Sequence, residues 1–403
     1  MADRPTQASD SDEPDPAELA ALARRHGAMA LDTEFMGEGR YRTQLCLVQV
    51  AAGSGADARI GLIDPLDTTT DPAPLAEALA DPQIEVVMHA GRQDVALLRR
   101  VWRTEVRGLF DTQIAAGFAG LRAQSGYEAL LKDVLDIRLP KTASYTRWDT
   151  RPLSPEQLGY AREDVVNMLA LAGELQHRLA ASGRLEWARE ECRRLESSSD
   201  ERDVETLFAK LPRIAGLDPK VRAIAHELVA WREELAERLD RPASGVLNDS
   251  TLVELARRQP RSPRALEQIR GLGQAVLRRH ARDLIAALER GRSMPPIPSN
   301  GTRRPPPTDL DAPLVALGES LVRARALEAG IAYELIAARA DLQEIVTAVR
   351  IAGPDSLRDD PDGVRTLAGW RRELVGQELL DLLSGSGALS VGADLRLRSA
   401  PAS

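Results

Sequence analysis

The stretch ALDTEFMGEGR, Ala30–Arg40, places Asp32 and Glu34 one residue apart at the end of an apolar run. Successive side chains of a strand point to opposite faces, so residues two apart share a face. If AMALDTEF is a strand, the two carboxylates stand side by side. Like charges that close repel and shift each other's pKa. Taken alone, the pair reads as an ordinary solvated strand end, because acidic residues are mostly exposed. The other reading is half of a divalent-cation site. It requires further carboxylates at suitable places downstream.

Outward from this stretch, strand and helix patterns alternate to about residue 200. TQLCLVQVAA (43–52) and ARIGLIDP (58–65) read as further strands, with Gly53–Asp57 as the turn between them. PLAEALADP (74–82) reads as a short helix, IEVVMHA (84–90) as a strand and QDVALLRRVW (93–102) as a helix. LFD (109–111) is a short strand entering the helix TQIAAGFAG, with Asp111 as its N-cap. From Glu163 a helical pattern runs to about Leu195. Hairpin-linked strands followed by strand–helix alternation predict a mixed sheet with helices packed on it, an α/β fold.

Three downstream places carry chemistry. In VVMHAGRQDVALL (86–98) the strand ends near His89, and a loop leads to Asp94 at the opening of an amphipathic helix. An Asp there has an ordinary role as cap or dipole partner. In SPEQLGYAREDVVNMLAL (154–171), Ser154 and Gln157 form a capping-box pattern. Tyr160 and Asp164 follow at i, i+4, one turn apart on one face. Asp164 sits on an apolar-flanked stretch and is costly to bury without a partner. A structural Tyr–Asp hydrogen bond and a bound cation both answer that need. The third place is KTASYTRWDTRPL (141–153), a basic and aromatic loop suited to a phosphate backbone or a base, or else a plain surface loop.

Each place is weak alone, and the ordered set is strong. Four carboxylates converging on one sheet end are destabilising without cations. Hard divalent ions such as Mg²⁺ or Mn²⁺ prefer such oxygen ligands. Two of them stabilise both the attacking and the leaving oxygens of a phosphodiester displacement.

The motifs LDTEF, HAGRQD and YAREDV resemble those of the DEDD superfamily of 3′–5′ exonucleases in its tyrosine-containing branch. Within it, WDTRPLSPEQLGYAREDV is similar to the third-motif segment of the ribonuclease D family. The resemblance spans about residues 18–200. It implies a ribonuclease H-like mixed-sheet exonuclease domain, with Asp32, Glu34, Asp94 and Asp164 holding two divalent cations and Tyr160 positioning the nucleophile.

Composition agrees and narrows the reading. At 403 residues the chain is expected to hold two to four domains. Aromatic residues make up 3%, which argues against single-strand binding built mainly on stacking platforms. Phe35, Trp102, Tyr145 and Trp148 are the few candidates to stack on a terminal nucleotide, and His89 joins the candidate contacts. The two cysteines, Cys46 and Cys192, have neither metal spacing nor a disulfide framework. The acidic, polar N-terminus is no secretory signal, and no apolar run reaches the length of a membrane span. A reducing, cytoplasmic setting is expected.

After about Leu211 strand patterns vanish. Residues 215–292 read as four or five short helices, and 314–390 as helices again, with the last dozen residues loose. The net charge of the chain is −8, yet Arg257–Arg292 holds ten arginines against three acids. Such a stripe is the footprint of a backbone binder, or else a solvated helix face. NDSTLVELARRQP and IRGLG resemble an HRDC domain, a small helical nucleic-acid-binding module, and the turn at Gly271–Gly273 would let backbone N–H groups approach phosphates. Arg257, Arg258, Arg270, Arg278 and Arg279 are its candidate contacts. AGWRRELVGQELLDLLSG is similar to the second helical domain of the same family, although RDDPDGVRT is acidic and points to shaping a channel or packing on the catalytic domain rather than binding RNA.

The expected organisation is a disordered 1–15, an exonuclease domain over 16–205 and an HRDC domain over 213–293. A Pro-rich linker over 294–312 and a C-terminal HRDC-like helical domain over 313–392 follow. The expected activity is exoribonucleolytic trimming of structured RNA such as tRNA precursors by a monomer. The rivals are a 3′–5′ DNA exonuclease and a catalytically inactive RNA-binding scaffold.

Overall fold

The computed structural model of the protein describes residues 13–139, 147–299, 307–357 and 363–402. The expected disorder of 1–15 therefore falls mostly outside the described residues. Asp15 accepts the Glu18 N–H at 2.8 Å and caps α1 (Pro16–His26), which Gly27 ends in the left-handed conformation. Three strands follow: β1 (Ala28–Met36), β2 (Gln44–Ala52) and β3 (Arg59–Ile63). Then come α2 (Ala73–Ala80), β4 (Glu85–Met88), α3 (Arg92–Val101), β5 (Leu109–Asp111) and α4 (Thr112–Phe118). The sheet order is β3-β2-β1-β4-β5, with β2 antiparallel to β1 and β3, and β4 parallel to β1 and β5. The mixed sheet expected from the sequence is thus present, with the Asp32 strand at its centre. The β1–β2 register shifts between Glu34 and Phe35, which leaves Cys46 as an extra residue.

The remaining helices cover this sheet and extend the chain beyond it. They are α5 (Tyr127–Leu135), α6 (Pro155–Val166), α7 (Met168–Ala181), α8 (Leu185–Arg193) and α9 (Val204–Ala209). The single helical run expected from Glu163 to Leu195 is in fact divided. Asn167 leaves helical geometry at φ −106°, ψ 0°, and Gly183 turns the chain at φ 70°. The capping box is present as read: Ser154 N–H donates to Gln157 Oε1 at 2.8 Å, and Gln157 N–H donates to Ser154 Oγ at 3.2 Å.

Alternation along β1 divides the core. Met29 and Leu31 pack with α1, α2 and α3, whereas Ala30 packs with α4, α5 and α7 on the other face. Asp32 and Glu34 continue the Ala30 face, and Thr33 and Phe35 continue the Leu31 face.

Next come α10 (Pro219–Arg238), α11 (Ala243–Val246), α12 (Asp249–Arg258), α13 (Pro263–Leu266) and α14 (Gln274–Ser293), which enclose a core of their own. Two of these are 20 residues long, so the expectation of only short helices is corrected: their apolar periodicity runs on until the caps. The Pro-rich segment is strapped to α10, since Ile297 N–H donates to Pro219 O at 3.0 Å and Arg222 donates to Ile297 O at 3.0 Å.

The last helices are α15 (Asp311–Ala329), α16 (Tyr333–Ile336), α17 (Arg339–Ala352), α18 (Gly369–Arg371) and α19 (Gln377–Leu383). Their core is continuous with that of α4, α5, α7 and α8. A buried ion pair fixes the junction: Arg371, 0% exposed, donates to both Glu191 oxygens at 2.5 and 2.7 Å. Trp370 stacks on Trp187 with centroids 5.3 Å apart and meets the edge of Phe118 at 4.9 Å. The chain end is a hairpin, β6 (Gly387–Val391) with β7 (Leu397–Pro401), and not the loose tail expected. The signal lies in GALSVGADLRLRS, where Gly392 and Asp394 punctuate two short alternating runs.

Candidate active site

The central strand carries the first two acidic residues to the end of the sheet, and α6 brings the third. Asp32, Glu34 and Asp164 each offer a carboxylate oxygen, and these atoms lie within 4.8 Å of one another. Asp94 stands outside this group of three, on the Thr33 side of β1, and its charge reaches Asp32 and Glu34. It lies in the first turn of α3 and is 7% exposed, and the Thr33 hydroxyl donates to its Oδ1. The cap of α3 is Gly91, so of the two ordinary roles, cap and dipole partner, Asp94 has the position of the second.

Burial and mutual repulsion act on these carboxylates together. Burial pushes the Asp32 carboxyl well above its usual range, and the charges of Asp94, Asp164 and Glu34 push it further. Glu34 is raised to about 8 by burial and by Asp164 and Asp94. Asp164 is raised to about 7 by burial, against a lowering hydrogen bond from Tyr160. Burial raises Asp94 to about 6, against the Thr33 hydroxyl, which lowers it. The Tyr160 phenol is pushed up by burial and by the Asp164, Glu34 and Asp32 charges, and its hydrogen bond to Asp164 raises it again.

The segment before α6 supports Tyr160. Trp148, a candidate for stacking on a nucleotide, is 5% exposed. Its ring lies 6.2 Å from that of Tyr160 in a small core with Cys46, Leu47 and Ala161, so it backs Tyr160 and offers no open face. Arg151 fixes this segment to the sheet. It donates to both Asp64 oxygens at 2.5 and 2.7 Å, to Cys46 O at 2.7 Å and to Trp148 O at 2.7 Å. Tyr145 lies outside the described residues.

Phe35 is half-buried on the core beneath α3, on the face away from Asp32 and Glu34. His89 is half-buried, with Nδ1 2.9 Å from the Thr112 hydroxyl and its ring 5.7 Å from that of Tyr127. Arg257, Arg258, Arg270, Arg278 and Arg279 all lie on the α12–α14 unit, and all five are exposed. That unit also touches the rim of the site. Asp240, after α10, accepts from Tyr41 N–H at 3.1 Å and from Arg40 at 3.2 Å, in the loop that leaves β1. The Tyr41 ring packs on the α10–α14 core, with the Arg202 guanidinium 5.1 Å from its centre.

Sequence reasoning missed three neighbours. Thr33 stands between the two motif acids. Gln49 lies directly opposite Asp32 on β2, is 0% exposed, and has neither amide atom hydrogen-bonded among the described residues. Tyr127, on α5, is half-buried, and the charges of Asp164 and Asp32 raise its phenol beyond the effect of burial. A glutamine in an apolar strand was a readable signal for the second, and nothing local marked the third.

Two family descriptions match the chain: 3′–5′ exonuclease over residues 9–180 and HRDC domain over residues 221–288. A ribonuclease D of Granulibacter bethesdensis is 33% identical over 394 residues, covering 95% of this chain and 94% of the relative. A ribonuclease D of Jannaschia is 35% identical over 93% of this chain and 95% of the relative. Among solved structures, Escherichia coli RNase D, described as an exoribonuclease involved in structured RNA processing, superposes with a TM-score of 0.78 at 29% identity. That match covers 91% of this chain and 96% of the other.

Proposed function

The chain belongs to the ribonuclease D family, a family of 3′–5′ exoribonucleases, and from that premise we propose that it trims 3′ ends of structured RNA such as tRNA precursors in the cytoplasm. The products are 5′-mononucleotides, released by hydrolysis supported by two divalent cations, Mg²⁺ or Mn²⁺. One observation carries this reading: three carboxylate oxygens within 4.8 Å of one another, with Asp94 tied to the same strand. Hard oxygen donors suit these ions, and burial together with neighbouring acids holds Glu34 and Asp164 above their usual range. Bound there, the ions would lower the pKa of water and stabilise charge on the phosphate oxygens.

The side chains supply the rest. Asp32, Glu34, Asp94 and Asp164 hold the ions. The Tyr160 phenol donates to Asp164 one turn along α6, and from there it would orient the attacking water. His89 faces the terminal nucleotide. The α10–α14 unit grips the RNA body by its phosphates. Of the ten arginines in 257–292, Arg258 pairs with Glu254, Arg290 with Glu227, and Arg292 with the carbonyls of Gln259 and Pro260. The side chains of the other seven, Arg270, Arg278 and Arg279 among them, have no ion pair or hydrogen bond among the described residues.

The test uses the purified protein with Mn²⁺, a 3′-extended RNA and a DNA of matched sequence. Stepwise release of 5′-mononucleotides from the RNA is expected. Asp32→Ala and Asp164→Ala should abolish it, and near-wild-type turnover by either variant would sink the metal assignment. Tyr160→Phe should lower kcat by about 10²-fold or more while leaving Mn²⁺ affinity unchanged. Equal turnover of the DNA would replace the RNA reading with a general exonuclease.

A further inference from the structure

The junction that delivers Asp94 is held in an unfavourable shape by a residue outside the candidate site. Between β4 and α3 the chain turns through Ala90, a non-glycine residue at φ 56°. L-residues with a side chain take that left-handed conformation at a cost. The next residue has no room for a side chain: a Cβ on Gly91 would lie 2.7 Å from the Met88 side chain. The turn is thus strained at one residue and sterically fixed at the next.

Asp111 supplies the hold. It ends β5 beside Met88 of β4 and is 1% exposed. Its carboxylate accepts the Gly91 N–H at 2.9 Å and the Ala90 N–H at 3.3 Å. It also accepts the Gln113 and Ile114 N–H groups at 2.8 and 3.1 Å, which is the N-cap of α4. Only the second pair is capping. The first pair reaches about 20 residues back along the chain to the turn before Asp94. The neighbouring Thr112 hydroxyl donates to Met88 O at 3.1 Å and lies 2.9 Å from His89 Nδ1, so the same dipeptide grips both sides of the turn.

We propose that Asp111 is a positioning residue for the reaction: its carboxylate holds the Ala90–Gly91 turn in its left-handed form and so sets where Asp94 stands against Asp32. This rests on the reading of Asp94 as a cation ligand. Groups that orient metal ligands from behind commonly carry about 10–100-fold in metal affinity or activity. Asp111 holds the backbone in front of the ligand, and the same leverage applies.

The experiment measures Mn²⁺ binding to the otherwise metal-free full chain by electron paramagnetic resonance, with kcat and KM on a short oligoribonucleotide. Asp111→Asn should weaken Mn²⁺ binding about 10-fold or more and lower kcat with KM little changed. Adding Ala90→Gly to it should restore much of both, because glycine adopts the turn without strain. Neither the α4 cap nor the lost charge of Asp111 would be rescued from residue 90. Ala90→Val serves if Asp111→Asn fails to fold. Residue 90 is exposed, and a branched side chain there opposes the turn with Asp111 intact, so the same Mn²⁺ loss is expected. Wild-type Mn²⁺ binding by Ala90→Val, or an Asp111→Asn loss that Ala90→Gly leaves untouched, would overturn the proposal. Asp94→Asn is run beside them. Should it bind Mn²⁺ as the wild type does, the ligand reading of Asp94 falls first and the Asp111 proposal falls with it.

Discussion

Replacing Asp164 with Asn should inactivate the enzyme and stabilise it, provided no cation is present. The folded chain holds the Asp164 carboxyl at about 7, against an ordinary value of 3.8. A folded-state pKa raised above the unfolded one means that the folded chain binds more protons between the two values. Stability is then fully present below about pH 4 and is lost as pH rises through about 7. A difference of about three pKa units corresponds to about 4 kcal/mol, which is the ceiling on what the ionised carboxylate costs the metal-free fold at about pH 8. Asn keeps the shape and an acceptor for Tyr160, but its amide N–H groups need partners, which offsets about 1–2 kcal/mol. A gain of about 2–3 kcal/mol in chelator at the alkaline end should raise the unfolding midpoint by roughly 3–5 °C. At about pH 4 the gain should vanish, because the wild-type carboxyl is then protonated in the folded chain. Saturating Mn²⁺ should reverse the order, since a ligand that binds only the folded wild type stabilises it by mass action. The assay is thermal unfolding of both proteins at about pH 4, 6 and 8, with chelator or Mn²⁺. A variant less stable than wild type in chelator at the highest of these pH values, or equally improved at the lowest and the highest, would refute the reasoning.

Other consequences follow from particular interactions. Arg371→Met leaves Glu191 buried and unpaired by its main partner, so the chain should lose about 3–5 kcal/mol, read by denaturant unfolding. The core shared by α15–α19 and the exonuclease helices means that the catalytic unit should melt with the C-terminal one; two separated transitions would contradict this. Gln49→Leu removes a buried amide without hydrogen-bond partners among the described residues, so stability should rise by about 1 kcal/mol while turnover falls. Unchanged turnover would show that Gln49 plays no part at the site. Asp240→Ala frees the β1–β2 loop, and kcat should fall on a dinucleotide too short to reach the arginines as well as on long RNA; a defect confined to long RNA would assign Asp240 to binding alone. Arg278→Ala with Arg279→Ala should reduce the slope of log affinity against log salt by about 0.7 for each single-strand phosphate that is no longer neutralised. An unchanged slope would place these two arginines off the RNA path.

What the sequence made legible follows from the range of each interaction. Asp32 and Glu34, or Tyr160 and Asp164, lie within one strand or one helical turn, so the period of the element brings them together. Asp111 as the cap of α4 is equally local. Its bonds to Ala90 and Gly91 are not, because they depend on β4 and β5 lying parallel in one register. Thr33 meets Asp94 across 61 positions, and Arg371 meets Glu191 across 180, and no spacing rule announces either. Trp148 shows the opposite failure. An aromatic residue in a basic loop is compatible with stacking on a base, and only the packing of Tyr160 and Arg151 around it reveals a buried support.

The fixed placement of these groups explains why the acidic cluster survives folding. β1 is the middle strand of five, flanked by cores on both faces, so Asp32 and Glu34 are not free to move apart as their repulsion rises. Asp164 is held by a helix with a complete capping box, and Asp94 by the Thr33 hydroxyl from behind the strand. Each carboxylate is therefore fixed by an element whose stability comes from elsewhere. The repulsion is relieved by protonation or by a cation, not by rearrangement. Such a site is preorganised: ions bound there would meet ligands already in place, and little of their binding free energy would go into ordering the chain. The exception is the Ala90 turn, where the backbone itself is strained, and this is why a residue that grips that turn should matter more to Asp94 than its distance along the chain suggests.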